Sequence, residues 1–559
     1  MKTTMQQRPL SLNDILERAG TVFPEQAVIS RLPDKSLVRH SYRDFHRRTR
    51  QLAAGLLAAG LKKGDRVATL CWNHHVHLEA YFGIPAAGGV MHTLNLRLAP
   101  EELGWIAGHA EDRFLIIDDV LLPLLKAVAP LHRFERVFVY RFSGKPLESH
   151  GTIEGTPALE DYEQMLASPE EADAFEYVAH DEHDPVSMCY TSGTTGRPKG
   201  VVYSHRSTVL HSLVASLPDS VRIGSRDVVL PVTPMFHANS WGVPYAAVMN
   251  GARLVFPGPH LHPDDLLDLM QVEPPTLSLG VPTIWLSLIQ TYEAHPGRWT
   301  LPAGMRSLVG GSAAPESLIR AFARNGVELA QGWGMTETSP LATVFNRKPE
   351  IVDADEDEWF RLRALQGVQV PLVDIRIVDD EGRIVPWDGE AVGELQARGP
   401  YITGSYYGDG DDREKFTEDG WLRTGDVAAI DRHGFMRIAD RTKDLIKSGG
   451  EWISSVDLEN AIMAHPAVAE AAVIAVPHPK WAERPLACVV LKPGKSLDPA
   501  ELREHLSGSF ASWQLPDAVE FIDEIPRTST GKFWKARLRE RYADWQASDS
   551  AELIAPGRG

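Results

Sequence analysis

Cysteine is scarce: three residues in 559, Cys71, Cys189 and Cys488. They are odd in number, far apart and in no CxxC spacing, which argues against a disulfide framework or a zinc site and fits a reducing cytosol. Basic residues are in the minority, with 57 Lys and Arg against 75 Asp and Glu and a formal charge of −18. Broad electrostatic binding to nucleic acid or to an anionic membrane is therefore disfavoured, and any phosphate site must be local. No stretch approaches the ~18 uncharged apolar residues that span a bilayer, and the N-terminal "MKTTMQQRPLSLNDILERAG" has no apolar core of a signal peptide. A cytoplasmic protein without an integral membrane segment is expected, with peripheral association left open.

What is present is ordinary globular material, 43% hydrophobic and 24% charged, in a chain long enough for about three or four units. Short β-branched runs alternate with amphipathic helical patterns. "RVATLCW", "FLIIDD", "RVFVYR", "PVSMCY" and "DVVLPVT" read as strands, and "SYRDFHRRTRQLAAGLLAAG" and "APESLIRAFARNG" as helices. The expectation is α/β with layered subdomains and substantial parallel sheet. Beyond residue 370, "VDIRIVDDEGRIVP", "VGELQARG" and "FMRIADRT" read as hairpins of a smaller β-rich subdomain. A charged segment at 440–452 then precedes a strand–helix alternation compact enough for a small α+β domain, which sets the expected domains at 1–440 and 441–559.

Several short stretches carry chemistry. "YTSGTTGRPKG" at 190–200 combines hydroxyls, glycines and Lys199, the makings of a loop that turns N–H groups and one ammonium toward an anion. It is not the GxxxxGK[ST] pattern of a P-loop, and alone it reads equally as a surface loop. "QGWGMTETSP" at 331–340 brings an aromatic, two glycines, two hydroxyls and Glu337 together; it suits a base, a phosphate and Mg²⁺, or a plain turn around a half-buried Trp333. "WLRTGD" ends in Asp426, a carboxylate able to accept both hydroxyls of a ribose. "PRTSTGKFWK" sets Lys532 in a Gly/Ser/Thr-rich loop near the C-terminus, where a lysine is most often simply solvated. The acidic run "DADEDEW" at 353–359 reads as a solvated loop or helix face. "WNHHVHLE" offers His74, His75 and His77, whose HHxH spacing is not a helical i,i+4 ligand pair.

These motifs, with "DRTKDLIKSGGEW" at 440–452, occur in the order and approximate spacing that resembles the adenylate-forming superfamily of acyl-CoA synthetases, adenylation domains and luciferases. The resemblance covers nearly the whole chain. "PMFHANSWG", "GVPTIWL", "VGGSAAP" and "IKSGGEWISSVDLENAIMAHP" are most similar to bacterial medium- and long-chain fatty acyl-CoA synthetases and the neighbouring methylthiopropionate-CoA ligases. The resemblance implies ATP, Mg²⁺ and CoA, a small carboxylic acid, a mobile C-terminal domain and a homodimer.

It also implies roles. Thr191, Ser192, Gly193, Thr194, Thr195, Gly196 and Lys199 hold the β- and γ-phosphates, Thr336 contacts the α-phosphate, and Glu337 with Thr191 holds Mg²⁺. Gly311, Ser312, Ala313, Gln331, Gly332 and Trp333 form an adenine wall extended by Gly334, Met335 and Ile438, and Asp426 and Arg441 clamp the ribose. The superfamily most often has Tyr at the position of Trp333, so a phenol hydrogen bond is lost. Lys532 bridges acyl carboxylate and α-phosphate. Lys443 is the hinge of the mobile domain, and Lys447, Ser448, Gly449, Gly450 and Trp452 serve CoA. His237, with Trp241 as gate and Gly310 beside it, lines the acyl pocket.

Other readings keep part of this chemistry: activation of a short thioether or aryl acid, or adenylation without transfer to CoA. A serine hydrolase is a more distant alternative, since "GGSAA" superficially resembles GxSxG but lacks the final glycine.

Overall fold

The computed structural model describes residues 1, 3–191, 197–408, 413–441, 443–448, 451–528, 531–543 and 545. Two large sheets carry the bulk of the chain. The first has seven strands in the order Leu159–Asp161, Arg136–Tyr140, Asp112–Asp118, Arg66–Leu70, Val90–Thr93, Pro185–Tyr190, Gly200–Ser204. All neighbours are parallel except the last pair. Its central strands are continuous apolar runs, Val67–Leu70 and Phe114–Ile117, because helices cover both faces.

The second sheet has nine strands, parallel through Glu328–Gly334, Arg306–Val309, Leu277–Gly280, Val228–Pro231, Arg253–Phe256 and Ala27–Arg31, with antiparallel strands at both edges. The segments that matter for function leave the carboxyl ends of these parallel strands: Gly310 follows Val309, and His237 lies beyond Pro231. Ligands of open α/β sheets sit there.

The β-rich subdomain is a four-stranded antiparallel meander, Asp374–Val378, Gly393–Arg398, Leu422–Ile430, Met436–Arg441. "VDIRIVDDEGRIVP" turns back only briefly: the Asp379 N–H donates to the Arg383 carbonyl (3.0 Å), the Val385 N–H to the Ile377 carbonyl (2.9 Å), and Val378 with Ile384 forms an isolated bridge. The C-terminal unit is a five-stranded sheet with its own apolar cores around Val473 and Leu486.

Local chemistry sets the helices. Ser41 and Asp44 form a reciprocal capping box at Tyr42–Ala58. The acidic run starts a helix, Glu356–Arg363, with Asp355 capping the Glu358 N–H at 2.8 Å and acidic side chains in the first turn, where the helix dipole favours them. The three histidines of "NHHVH" are buried in the core: His74 meets Asp118 at 2.8 Å, His75 meets Ser30, and His77 meets Thr69 and the Trp72 carbonyl. Burial pushes the His77 imidazole down to about 3 and His75 well below its ordinary value. The three cysteines are buried and free.

Candidate functional site

A cavity of about 720 Å³ lies among the nine-stranded sheet, the meander and the C-terminal unit. One corner is closed by the base of the 190–200 loop, where the Thr191 N–H donates to the Lys199 carbonyl (2.9 Å) and the Lys199 N–H to the Thr191 hydroxyl (3.0 Å). Residues 192–196, named above as phosphate ligands, lie outside the described residues. The Lys199 ammonium sits 4.6 Å from the centre of the Tyr406 ring, and the Tyr406 hydroxyl donates to Glu337 at 2.6 Å. Glu337 is 6% exposed; burial pushes its carboxyl up, and the Tyr406 hydrogen bond opposes this. The short Thr336–Thr338 turn is held by Tyr203, whose hydroxyl donates to the Thr336 carbonyl (2.8 Å), and by the Thr403 N–H on the Glu337 carbonyl (2.8 Å).

Another wall is built largely of small residues. Gly310, Gly311, Ser312 and Ala313 line it with Gly332, Trp333, Gly334, Met335 and Ile438. Gly311 has φ 87°, and a Cβ there would stand 3.1 Å from Lys532 Cε, so both the turn and the close approach require glycine. The indole N–H of Trp333 donates to Asp426 at 2.8 Å, and Arg441 approaches the other carboxylate oxygen at 3.3 Å. Gln331 stands behind the wall rather than on it, because its amide is spent bridging Ala314, Ala364 and Gln366. Gln366 in turn accepts the Ile438 N–H at 2.6 Å.

Lys532 comes from the C-terminal unit and reaches into the same cavity. Thr283 donates to the Gly531 carbonyl at 3.2 Å, holding the loop tip against the helix Pro282–Ala294. Burial lowers the Lys532 ammonium to about 8; Arg441 adds to the lowering, while Asp426 and Glu337 oppose it. The seam is held by Arg437 with Asp457 (2.9 Å) and by Asp440, which accepts the Ser455 N–H (2.8 Å) and hydroxyl (2.6 Å). Lys443 lines the cavity at this seam. Lys447, Ser448 and Trp452 lie on the hairpin formed by Ile446–Ser448 and Glu451–Ile453, and none of them lines the cavity; Gly449 and Gly450 lie outside the described residues. Among the described residues, Thr191, Lys199, Gly311–Ala313, Trp333, Thr336, Glu337, Asp426, Arg441 and Lys532 share this cavity, whereas Lys447, Ser448 and Trp452 stand apart from it.

His237 and Trp241 flank the apolar end. Burial, with the Lys532 charge second, pushes the His237 imidazole down to about 3. Between them Ala238–Trp241 all have positive φ, from 43° to 57°, a left-handed turn that costs about 1–2 kcal/mol per residue for L-amino acids. It is held by buried bonds: the Asn239 amide donates to Ser187 (2.9 Å) and Ser240 donates to the Thr233 carbonyl (2.9 Å). The turn aims the Trp241 ring at Gly310, whose added Cβ would meet it at 3.3 Å. Past it, His211, Ala215, Val221 and Leu341 continue the cavity as a mostly apolar channel.

Sequence reasoning missed Tyr406, Tyr203, Thr283 and the channel residues. Tyr406 lies in "SYYGDG", which carried no isolated signal, and the channel residues look like any core.

The pattern has relatives. The AMP-binding enzyme family matches residues 16–407 and its C-terminal domain residues 457–532. A long-chain-fatty-acid–CoA ligase of Thermus thermophilus is 51% identical over 97% of each chain. A 3-methylmercaptopropionyl-CoA ligase of Ruegeria pomeroyi is 43% identical over 97% of this chain and 98% of its own. Among solved structures, ATP-bound MatB from Rhodopseudomonas palustris superposes with TM-score 0.77 at 27% identity, covering 96% of this chain and 99% of its own. No helix among the described residues is long and apolar enough to cross a membrane.

Proposed function

Because this chain belongs to the AMP-binding enzyme family, we propose that it is an ATP-dependent ligase that joins a fatty acid to CoA through an acyl-adenylate. A carboxylate is a poor acyl donor, since its leaving group would be oxide; attack on the α-phosphorus of ATP expels pyrophosphate and leaves AMP as a good leaving group. The CoA thiol then attacks the acyl carbon, releasing AMP and the thioester. Charge crowds onto phosphate and carboxylate oxygens in the first step, so positioning and electrostatic stabilisation carry it.

The observation that carries this reading is Lys532, delivered by the C-terminal unit into a cavity that also holds Glu337 and Asp426. Its ammonium bridges the acyl carboxylate and the α-phosphate; Lys199 and the 191–199 loop take the β- and γ-phosphates, and Thr336 the α-phosphate. Asp426 and Arg441 hold the ribose, and adenine lies along Gly311–Ala313 and Trp333. Glu337 and Thr191 offer the hard oxygen donors that Mg²⁺ prefers, and Glu337 is a desolvated carboxylate suited to a cation. The ion would neutralise charge on the departing pyrophosphate.

The domains divide at 440, and Lys443 is the hinge that carries Lys532 out and the CoA hairpin, Lys447 to Trp452, in. The enzyme works in the cytoplasm, as a homodimer. The channel behind Trp241 favours a medium- to long-chain acid. A short thioether acid is the second reading, prompted by the name of the Ruegeria relative. A panel of straight, thioether and aryl acids, scored by AMP release with and without CoA, tests the proposal. Preference for medium- to long-chain acids with CoA-dependent turnover is expected; release of AMP only with aryl acids would overturn the fatty-acid assignment.

A further inference from the structure

Asp426 is a carboxylate with little freedom of its own: it is 6% exposed and lies on Leu422–Ile430 directly opposite Arg441 in the antiparallel register. Its Oδ2 accepts the Trp333 indole N–H at 2.8 Å, a normal charge-assisted bond, whereas Arg441 Nε stands 3.3 Å from Oδ1 and its side chain is 44% exposed. The indole bond is the shorter of the two and the better shielded. It is also a tie between units, since Trp333 ends a strand of the nine-stranded sheet while Asp426 belongs to the meander.

We infer that Trp333 is a specificity-determining positioning residue, whose indole N–H fixes the Asp426 carboxylate so that its remaining lone pairs meet both ribose hydroxyls and the enzyme discriminates ATP from its 2′-deoxy analogue. This rests on the reading of Asp426 as the ribose clamp. A carboxylate has about four acceptor positions. With the indole on Oδ2 and the Arg441 ion pair beside Oδ1, the remaining positions on the two oxygens point together only while the side chain is held in a single rotamer. Gly332 and Gly334 flank Trp333, and a Cβ at Gly334 would lie 1.7 Å from the Pro340 carbonyl oxygen, so the strand that presents the indole is itself tightly set. The aromatic face alone would treat both nucleotides alike, because the base is the same in each; discrimination needs the hydrogen bond.

The test uses the full chain and measures binding of ATP and of 2′-deoxy-ATP by calorimetry, with pyrophosphate exchange for KM and kcat. The wild type is expected to bind ATP about tenfold more tightly than 2′-deoxy-ATP, the usual worth of a hydrogen bond to a charged group. Trp333→Phe keeps a ring and loses the N–H; KM for ATP is expected to rise about tenfold with kcat within about twofold, and the preference for ATP to collapse toward unity. In an Asp426→Asn background Trp333→Phe should add little, because the pair acts as one unit. Equal weakening of both nucleotides in Trp333→Phe would mean that the residue only stacks and would overturn the inference, as would equal binding of the two by the wild type, which needs no variant. If neither nucleotide binds the wild type, the ATP reading itself fails, an outcome distinct from these.

Discussion

Lys532 is a lysine held where an ammonium is uncomfortable until anions arrive. Moving it from the ordinary 10.5 to about 8 costs the charged form about 3 kcal/mol, trimmed toward about 2 because the side chain is partly open to the cavity. In an open state, with the C-terminal unit swung away, the same lysine returns to about 10.5. Below pH 8 both states carry the proton and the whole cost of closure is felt; between 8 and 10.5 the closed form sheds its proton and closure becomes easier, but without the charge adenylation requires. With the free enzyme resting in the closed arrangement described here, kcat/KM for ATP in pyrophosphate exchange, which reports the free enzyme, is expected to be flat from pH 7 and then to fall about tenfold per pH step above about 8. The limb in kcat should lie higher, because bound phosphate and carboxylate restore the ammonium. Lys532→Arg, charged throughout, should lose the limb while keeping a reduced rate. A wild-type kcat/KM that stays level to pH 10 would refute the assignment of the titrating group.

The other expectations concern the channel, the hinge and the core. Gly310→Ala sets a methyl 3.1 Å from the Gly332 carbonyl oxygen and 3.3 Å from the Trp241 ring and should cut turnover of long acids more than short ones, while Trp241→Ala should broaden the chain-length profile; identical profiles in all three proteins would remove the gate. Lys443→Pro fixes φ at the hinge and should slow thioester formation from supplied acyl-adenylate far more than pyrophosphate exchange; normal overall turnover would count against a hinge there. His75, His77, His205 and His211 are buried neutral, all pushed down by burial, the last three to about 3, 3 and 4. Their stabilisation is whole above the unfolded value of 6.5 and is lost as pH falls below it, about 2 kcal/mol for each of His77, His205 and His211 by pH 5. Chemical denaturation at pH 7 and 5 should show the loss, and equal midpoints would contradict it.

Much of this was legible in contiguous stretches. Thr336 and Glu337 share one short turn, Thr191 and Lys199 bound one loop, and Lys532 sits in one Gly/Ser/Thr-rich stretch; each cluster declares its chemistry because its residues are neighbours in sequence. Strands such as Arg136–Tyr140 and the capped helix Tyr42–Ala58 were equally plain, since period and cap are local signals. What sequence hid is what long-range folding creates. Tyr406 meets Glu337 across 69 positions, and Trp333 meets Asp426 across 93. The left-handed turn at 238–241 was invisible because Asn239 tolerates such a backbone but Ala238 and Trp241 do not announce it. Gln331 looked like part of the adenine wall, and only the positions of Ala314 and Gln366 show that its amide is already occupied.

The half-reactions of Lys532→Ala test the central claim most directly, that the C-terminal unit brings this one ammonium to the nucleotide. Pyrophosphate exchange dependent on ATP and fatty acid should fall by about three orders of magnitude, as for loss of a transition-state charge partner, while thioester formation from supplied acyl-adenylate and CoA stays within about twofold of the wild type. Exchange that survives the substitution, or equal loss of both half-reactions, would contradict the account.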